Sequence, residues 1–215
     1  MYCFMIYIRI AWFLIGLLTF SYGISIAIKV QHLGIHPWDV LNVGLFETFG
    51  FSIGTWNIII GFTLIGVALI LDRTYVKAGT FFNAVIVGSF VDLYLWLDIL
   101  PQPTHTWTDI LIMGLGIVVM GAGGGIYNAP GIGSGPRDGF MLSISDKTNL
   151  SIGKVRMIVE TLVLVIGLLI GGPVFVFTFI FTFIQSPIFQ FTYLKCRKIL
   201  EHIHKRIDRE KPRAV

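Results

Sequence analysis

The strongest constraint on the fold is an internal repeat with a period of 99 residues. Glycine, proline and aspartate are uncommon punctuation in an apolar sequence, yet they recur here at one fixed spacing. The matched positions are Gly34, Pro37, Asp39, Ser52, Ile53 and Gly54 in the first half and Gly133, Pro136, Asp138, Ser151, Ile152 and Gly153 in the second. The repeat predicts two copies of one structural unit.

Six apolar runs, three in each copy, indicate that the repeated unit is built from membrane-spanning helices. They lie near residues 7–28, 52–71, 78–97, 108–128, 152–171 and 174–194. Each is close to the ~20 residues that a helix needs to cross the hydrocarbon of a bilayer. With 55% hydrophobic residues, 13% charged residues and a mean hydropathy of +0.81, the chain is too apolar for a soluble domain of this size. We therefore predict six transmembrane helices and expect the first run to be retained.

An odd number of crossings in each copy predicts that the second copy enters the membrane inverted relative to the first. The expected fold is an all-α polytopic membrane protein with two inverted three-helix repeats. Residues 1–98 would form the first repeat with helices 1–3, residues 99–194 the second with helices 4–6, and residues 195–215 a basic cytoplasmic tail. Inverted repeats of this kind are typical of secondary transporters.

The distribution of lysine and arginine predicts the orientation. Basic residues occupy one set of connections, at Arg9, Arg73, Lys77, Arg137, Lys147, Lys154 and Arg156, whereas the opposite connections carry only Lys29. The positive-inside rule therefore predicts a plasma-membrane protein with both termini in the cytoplasm. The tail has eight basic and three acidic residues. It is either an amphipathic helix on anionic lipid or a cluster that only fixes topology, and nucleic-acid binding is disfavoured.

Each copy also contains a segment too short for a full crossing, at residues 37–51 and 136–150. Proline suits the first position of a helix, and an aspartate two residues later meets free backbone N–H groups and the positive end of the helix dipole. These segments predict one short half-membrane helix in each repeat. Asp39 and Asp138 are interpreted either as capping residues or as residues that line two gates of a permeation route. Arg137, next to Asp138, makes the two mouths different.

Ionisable residues within apolar spans are costly and are therefore candidates for function. Glu160 lies eight residues beyond Ile152, near the expected midplane, and Arg156 precedes it by one helical turn. Asp92 lies near the outer end of the third span. The hypothesis for a substrate or ion pathway thus comprises Glu160, Arg156, Asp39, Asp138, Arg137 and Asp92, with Gly34, Pro37, Gly54, Gly133, Pro136 and Gly153 as structural residues of the repeat.

The glycine-rich segment at residues 121–136 leads into the second short helix. Tight helix packing with a hinge is the favoured interpretation, and an anion held by backbone amides beside Arg137 is the alternative. The segment lacks the Gly-Lys-Ser/Thr of a nucleotide-binding loop. His32 and His36 are one turn apart, but no carboxylate or thiol pattern accompanies them, so no metal or cofactor is expected. Cys3 and Cys196 are isolated and predict no disulfide.

The sequence resembles a known family at the repeat motifs. The segments Gly34-Ile-His-Pro-Trp-Asp39 and Gly133-Ser-Gly-Pro-Arg-Asp138, the paired Ser-Ile-Gly triplets and the six-span pattern are similar to the YczE/YyaS/YitT group of bacterial integral membrane proteins. The resemblance covers essentially the whole chain and implies a bacterial plasma-membrane protein. The longer YitT-like members carry a cytoplasmic domain that is not expected here. The resemblance supplies no substrate and no catalytic residue.

Two function classes follow. A small-solute secondary transporter or permease, working by alternating access of two inverted repeats, accounts for the duplication and for Glu160. The alternative is a membrane scaffold or regulatory protein that docks partners on its basic tail. An enzyme is not expected, because no nucleophile triad and no His-Glu-x-x-His motif is present. The expected partners are the bilayer, anionic lipid, an unknown solute and a second copy of the chain through glycine-lined helix faces.

Overall fold

The fold is helical throughout the part of the chain that the computed structural model describes, residues 2–97 and 99–209. Its eight α-helices are α1 (Tyr2–Lys29), α2 (Pro37–Phe49), α3 (Ile53–Leu71), α4 (Ala78–Leu97), α5 (Thr108–Asn128), α6 (Pro136–Thr148), α7 (Ile152–Leu169) and α8 (Val176–Arg209). Short 3₁₀ turns follow α1 at Gln31–Leu33 and α3 at Arg73–Tyr75. The prediction of an all-α chain is confirmed.

Five helices, α1, α3, α4, α5 and α8, are long and apolar enough to cross a membrane. The fifth predicted span corresponds to α7, which is not among them because its 18 residues include Lys154, Arg156 and Glu160. Large apolar side chains cover the outside of the bundle, with Ile70, Leu169 and Phe183 about four-fifths exposed. A surface of this kind suits lipid rather than water. The crossing by α7 stays a prediction.

The two short helices, α2 and α6, form where the sequence predicts them, each with 13 residues and a proline at its first position. At 1.5 Å per residue each is about 20 Å long, shorter than the hydrocarbon core of a bilayer. The residue that ends α2 is Gly50, and Asn149 ends α6, both with positive φ. These left-handed residues turn the chain sharply into α3 and α7.

The centre of the bundle is the antiparallel pair α1 and α5, which glycines bring into backbone contact. A Cβ on Gly16 would lie 2.3 Å from the backbone N of Tyr127, and one on Gly123 would lie 2.3 Å from that of Phe20. Another face of the glycine-rich end of α5 packs on α8, where a Cβ on Gly125 would lie 2.7 Å from the backbone N of Tyr193. The glycine-rich segment therefore serves close helix packing on two sides.

The connections before the short helices dock onto the starts of α4 and α8. Gly34 has a φ of +101° and packs on Thr178, at the start of α8. Gly133 packs on Gly79 and Thr80, at the start of α4. The two contacts join positions that are themselves 99 residues apart, since Gly79 precedes Thr178 by that spacing. Each short helix is thereby anchored to the last long helix of the other half of the chain.

The basic tail, residues 195–215, is helical as far as the structure describes it and is continuous with the last span. Helix α8 continues without interruption from Val176 to Arg209, with Pro187 inside it. No glycine or proline follows Pro187 before Arg209, so nothing in the sequence stops the helix where the apolar run ends. The basic part of the tail extends the last long helix, and residues 210–215 lie outside the described residues.

Candidate functional site at the starts of the two short helices

A cavity of about 320 Å³ lies in the middle of the bundle, where the first turns of α2 and α6 meet. The long helices provide the remaining walls, among them Asn57 of α3, Asn83 of α4, Tyr127 of α5 and Gln185 of α8. The volume is at the lower end of the range for small-molecule sites, which are concave, mostly apolar and carry a few placed polar groups. The cavity is the strongest candidate for a functional site in the described chain.

Positions related by the repeat line this cavity together. The lining contains five pairs separated by 99 residues, namely His36 with Gly135, Trp38 with Arg137, Asn57 with Arg156, Gly61 with Glu160, and Val87 with Ser186. In every pair the residue types differ between the copies, and both arginines and Glu160 come from the second copy. The cavity thus lies between the two copies and is chemically asymmetric.

One of the repeat aspartates, Asp39, is buried behind the cavity and pairs with the other half of the chain. The Nη2 atom of Arg137 lies 3.4 Å from Oδ1 of Asp39, whose side chain is 1% exposed. The same guanidinium lies over the ring of Trp38, 5.2 Å from its centroid. Because Arg137 belongs to α6 and Asp39 to α2, this cluster holds the starts of the two short helices together.

The side chain that caps α2 is that of His36 and not that of Asp39. The Nδ1 atom of His36 accepts a hydrogen bond from the backbone N–H of Trp38 at 3.4 Å. A neutral His36 ring therefore carries its proton on Nε2, which lies 4.0 Å from Oε1 of Glu160. The corresponding residue before α6 is Gly135, which has no side chain to cap the helix.

The second repeat aspartate, Asp138, lines the cavity and pairs with Arg156. Its Oδ1 lies 3.0 Å from Nη2 of Arg156, while Nε of the same guanidinium lies 3.8 Å from Oε1 of Glu160. Glu160 is 14% exposed, whereas Asp138 and Arg156 are about one-third and two-fifths exposed. Arg156 therefore brings two carboxylates together at the mouth of the cavity, and the expected turn-spaced contact with Glu160 is present.

The hypothesised pathway residues separate into three groups. Arg137, Asp138, Arg156 and Glu160 line the cavity. Asp39 lies directly behind it. Asp92 belongs to α4 and lies elsewhere, next to the start of α3, where its carboxylate accepts hydrogen bonds from the hydroxyl of Ser52 and, at 2.7 Å, from the backbone N–H of Gly54. The role of Asp92 is therefore to join α3 to α4.

Several lining residues escaped the sequence analysis. His36 and Trp38 belong to the motif segment at residues 34–39, and their 99-residue spacing from Gly135 and Arg137 is the signal that would have found them. Asn83 and Tyr127 lie in apolar spans and carry no such signal. Three side-chain N–H groups of lining residues are buried without a hydrogen-bond partner in the described structure: Nε1 of Trp38, Nδ2 of Asn83 and Nε of Arg156.

A second cluster of ionisable residues lies outside the cavity, at the end of α1 and the start of α5. His32, His105 and Asp109 place potential metal-binding atoms within 4.8 Å of one another. Oδ2 of Asp109 lies 3.0 Å from Nε2 of His32, and the carboxylate also accepts the backbone N–H groups of Thr104 and His105 at 2.8 and 2.9 Å. These hydrogen bonds account for the complete burial of Asp109 without an ion. His36 instead faces the cavity.

Comparison with known proteins identifies relatives over most of the chain. The sequence pattern of DUF6198, described as a family of unknown function, matches residues 7–193. The "Uncharacterized membrane protein YczE" of Bacillus subtilis (strain 168) is 32% identical over 195 residues, which are 91% of this chain and 90% of the relative. The "Uncharacterized protein YyaS" of the same organism is 32% identical over 74% of this chain and 80% of its own. The resemblance to YczE and YyaS is thereby confirmed.

A third relative comes from another bacterium. An "Uncharacterized protein" of Haemophilus influenzae (strain ATCC 51907 / DSM 11121 / KW20 / Rd) is 33% identical over 180 residues, covering 82% of this chain and 79% of the relative. No solved structure matches the chain.

Proposed function

The chain belongs to DUF6198, a family of unknown function, and from the geometry of its cavity we propose that it is a small-solute transporter of the bacterial plasma membrane. In this proposal six spans form two inverted repeats that alternately open the cavity to the two sides. The repeats are residues 1–98 and 99–194, and both termini lie in the cytoplasm.

The observation that carries the proposal is the position of the cavity. In transporters with inverted repeats, the substrate site lies near the midplane, between the repeats, and is formed by discontinuous helices whose half-helix ends point at the substrate. Here the first turns of α2 and α6 meet at the cavity, and five pairs of repeat positions line it. A location between the repeats, at the starts of two short helices, is the feature that this cavity shares with those substrate sites.

The proposal also accounts for the charges of α7. A helix with three charged residues in 18 is a poor candidate for a lipid-facing span. Arg156 and Glu160, however, line the cavity, and Arg156 contacts both Glu160 and Asp138. Intramembrane ionisable residues are tolerated when they pair and face a bundle interior or a water-filled space. We therefore place α7 across the membrane with its charged stripe on the solute pathway.

The test compares metabolites inside and outside three strains: one lacking the protein, one producing it, and one producing Glu160→Gln at a matched level. We expect a compound whose distribution follows the intact protein and reverts with the variant. Glu201→Gln is the matched control, because Glu201 is an exposed carboxylate that pairs with Arg197 outside the cavity. The compound found is then tested for uptake into liposomes that contain the purified protein. Unchanged distributions in all strains over varied growth conditions would contradict the proposal.

The alternative is a scaffold or regulatory protein, and the extension of α8 favours it. This helix presents a basic segment beyond the last apolar residues, with Arg197 and Lys198 exposed. Such a segment suits docking of an acidic partner or anionic lipid. Under this alternative, removal of residues 195–215 would abolish function, whereas Glu160→Gln would leave function unchanged.

A further inference from the structure

We propose that the cavity accepts a small solute with an anionic oxygen group, as found in carboxylates and phosphates. This inference rests on the proposed function insofar as it takes the cavity to be a solute site. It adds the charge and hydrogen-bonding character of the solute, which follow from the groups that the cavity leaves unsatisfied.

The unsatisfied groups of the cavity are hydrogen-bond donors. Buried polar side chains are almost always hydrogen-bonded, so each exception indicates a missing partner. Among the described residues that line the cavity, the buried side-chain atoms without a partner are all N–H groups, on Trp38, Asn83 and Arg156. Trp38 is 2% exposed and Asn83 is 4% exposed. A ligand that satisfies all three must be rich in hydrogen-bond acceptors.

The start of α6 also favours an anion. The start of a helix carries free N–H groups and a partial positive charge. In the first turn of α6, Pro136 has no N–H and that of Gly139 donates to the carbonyl of Gly135, so the backbone N–H groups of Arg137 and Asp138 are the ones without an acceptor in the described structure. The start of α2 offers no free N–H group, because those of Trp38, Asp39 and Val40 all donate to His36.

The pairing of the charged residues also disfavours a cationic solute. The carboxylates at the cavity face arginine: Asp138 lies 3.0 Å and Glu160 3.8 Å from nitrogens of Arg156. A cationic solute would have to displace Arg156 from both. An anion can instead add to the arginines, because each guanidinium has five N–H donors in a planar fork that suits carboxylate and phosphate. Arg137 and Arg156 both line the cavity.

Trp38 provides a reporter inside the cavity. The chain has five tryptophans, so replacing Trp12, Trp56, Trp96 and Trp107 with phenylalanine leaves Trp38 as the only indole. Quenching of its fluorescence is measured in a non-ionic detergent with iodide, caesium and acrylamide. These are an anion, a cation and a neutral quencher. A protein that retains only Trp56, whose Nε1 donates to the carbonyl of Gly50, is the control outside the cavity.

We expect a quenching constant for iodide at Trp38 at least threefold that for caesium, and a smaller ratio at Trp56. Sodium acetate and inorganic phosphate should compete with iodide, and the stronger competitor distinguishes a carboxylate from a phosphate site. Acetamide should not compete. Asn83→Asp in the Trp38 protein should reduce iodide quenching several-fold, because the change replaces an N–H donor with a negative oxygen.

Stronger quenching by caesium than by iodide, or equal quenching by both, would overturn the anion preference. Failure of acrylamide to quench Trp38 would overturn the cavity itself as a solute site. The preference and the transport proposal fail separately. Iodide selectivity without any redistribution of metabolites would indicate an anion-binding protein that does not transport, whereas redistribution of a cationic metabolite would refute the anion preference alone.

Discussion

The pair α3 and α4 and the pair α7 and α8 occupy corresponding places in the sequence repeat, but only the first pair is tightly packed. A Cβ on Gly54 of α3 would lie 2.0 Å from the carbonyl oxygen of Gly88 on α4. The position 99 residues after Gly54 is Gly153, and it has nothing within 4 Å. Within residues 152–209, α7 and α8 form no comparable interface.

The residues that lock the first pair have no equivalents in the second. Asp92 of α4 hydrogen-bonds to the start of α3, whereas the position 99 residues later is Phe191, which is exposed. The position 99 residues after Gly88 is Pro187, which interrupts the hydrogen bonding of α8. The first pair is thus joined by close packing and a hydrogen-bonded carboxylate, whereas neither feature joins the second pair within the described residues. Under the proposed transport mechanism, an asymmetry of this kind is expected of any one state of alternating access.

The largest expected effect concerns the two repeat aspartates, of which Asp39 should contribute more to stability through its ion pair than Asp138 does. Arg137→Gln leaves Asp39 buried and unpaired, which costs about 3–5 kcal/mol of unfolding free energy. Arg156→Gln removes the partner of Asp138, which is about one-third exposed, and one neighbour of Glu160, which keeps His36 at 4.0 Å, so it should cost less, about 1–2 kcal/mol. Thermal unfolding in detergent measures both.

A second change separates charge from packing at this site. Combining Arg137→Gln with Asp39→Asn removes the unpaired charge and should recover a large part of the lost stability. Equal losses for Arg137→Gln and Arg156→Gln would show that the buried and the exposed ion pairs are equivalent, against this account.

The next effect tests the packing difference directly. Gly54→Ala forces a methyl group into the backbone of Gly88 and should destabilise the protein by about 1–3 kcal/mol. The matched change Gly153→Ala meets no neighbour and should be neutral or stabilising by up to about 1 kcal/mol, because alanine favours helix. Destabilisation of similar size by both changes, measured by thermal unfolding, would indicate that α7 and α8 pack as α3 and α4 do.

The smallest effect concerns the polar lock between α3 and α4. Asp92→Asn keeps a hydrogen-bond acceptor but removes the negative charge next to the start of α3, at an expected cost of about 1 kcal/mol. Glu47→Gln, at an exposed carboxylate near the end of α2, is the control and should change the unfolding temperature little. A loss no greater than that of the control would remove Asp92 from the account of the difference between the pairs.

Much of the fold could be predicted from local sequence pattern. The prolines at residues 37 and 136 correctly indicated two short helices, because this residue both suits a helix start and cannot occupy its interior without cost. The extent of α8 could not be predicted from hydropathy, since its basic residues are good helix formers and the helix continues past the end of the apolar run.

The site was predictable in part and for a definite reason. Arg156 and Glu160 could be identified from the sequence, because a charged side chain within an apolar span is costly however the helices pack. The pairing of Arg137 with Asp39 depends instead on how α2 and α6 pack, which no pattern within either segment encodes. Asn83 and Tyr127 reach the cavity through the rotation of α4 and α5 about their axes, and this rotation is set by the glycine contacts.

Spin labels test most directly whether α3 and α4 are packed more tightly than α7 and α8, because they report the separation within each helix pair. Phe62 and Phe81 face each other across α3 and α4, with ring centroids 6.1 Å apart. The positions 99 residues later are Thr161 and Ile180. Cysteines are placed at one pair or the other after Cys3 and Cys196 are replaced, and electron paramagnetic resonance of labelled protein in liposomes reports the separations. We expect one short separation for the first pair, a longer and broader distribution for the second, and opposite changes in the two pairs when the side that holds the solute is varied. A single short separation in both pairs under all conditions would contradict this expectation.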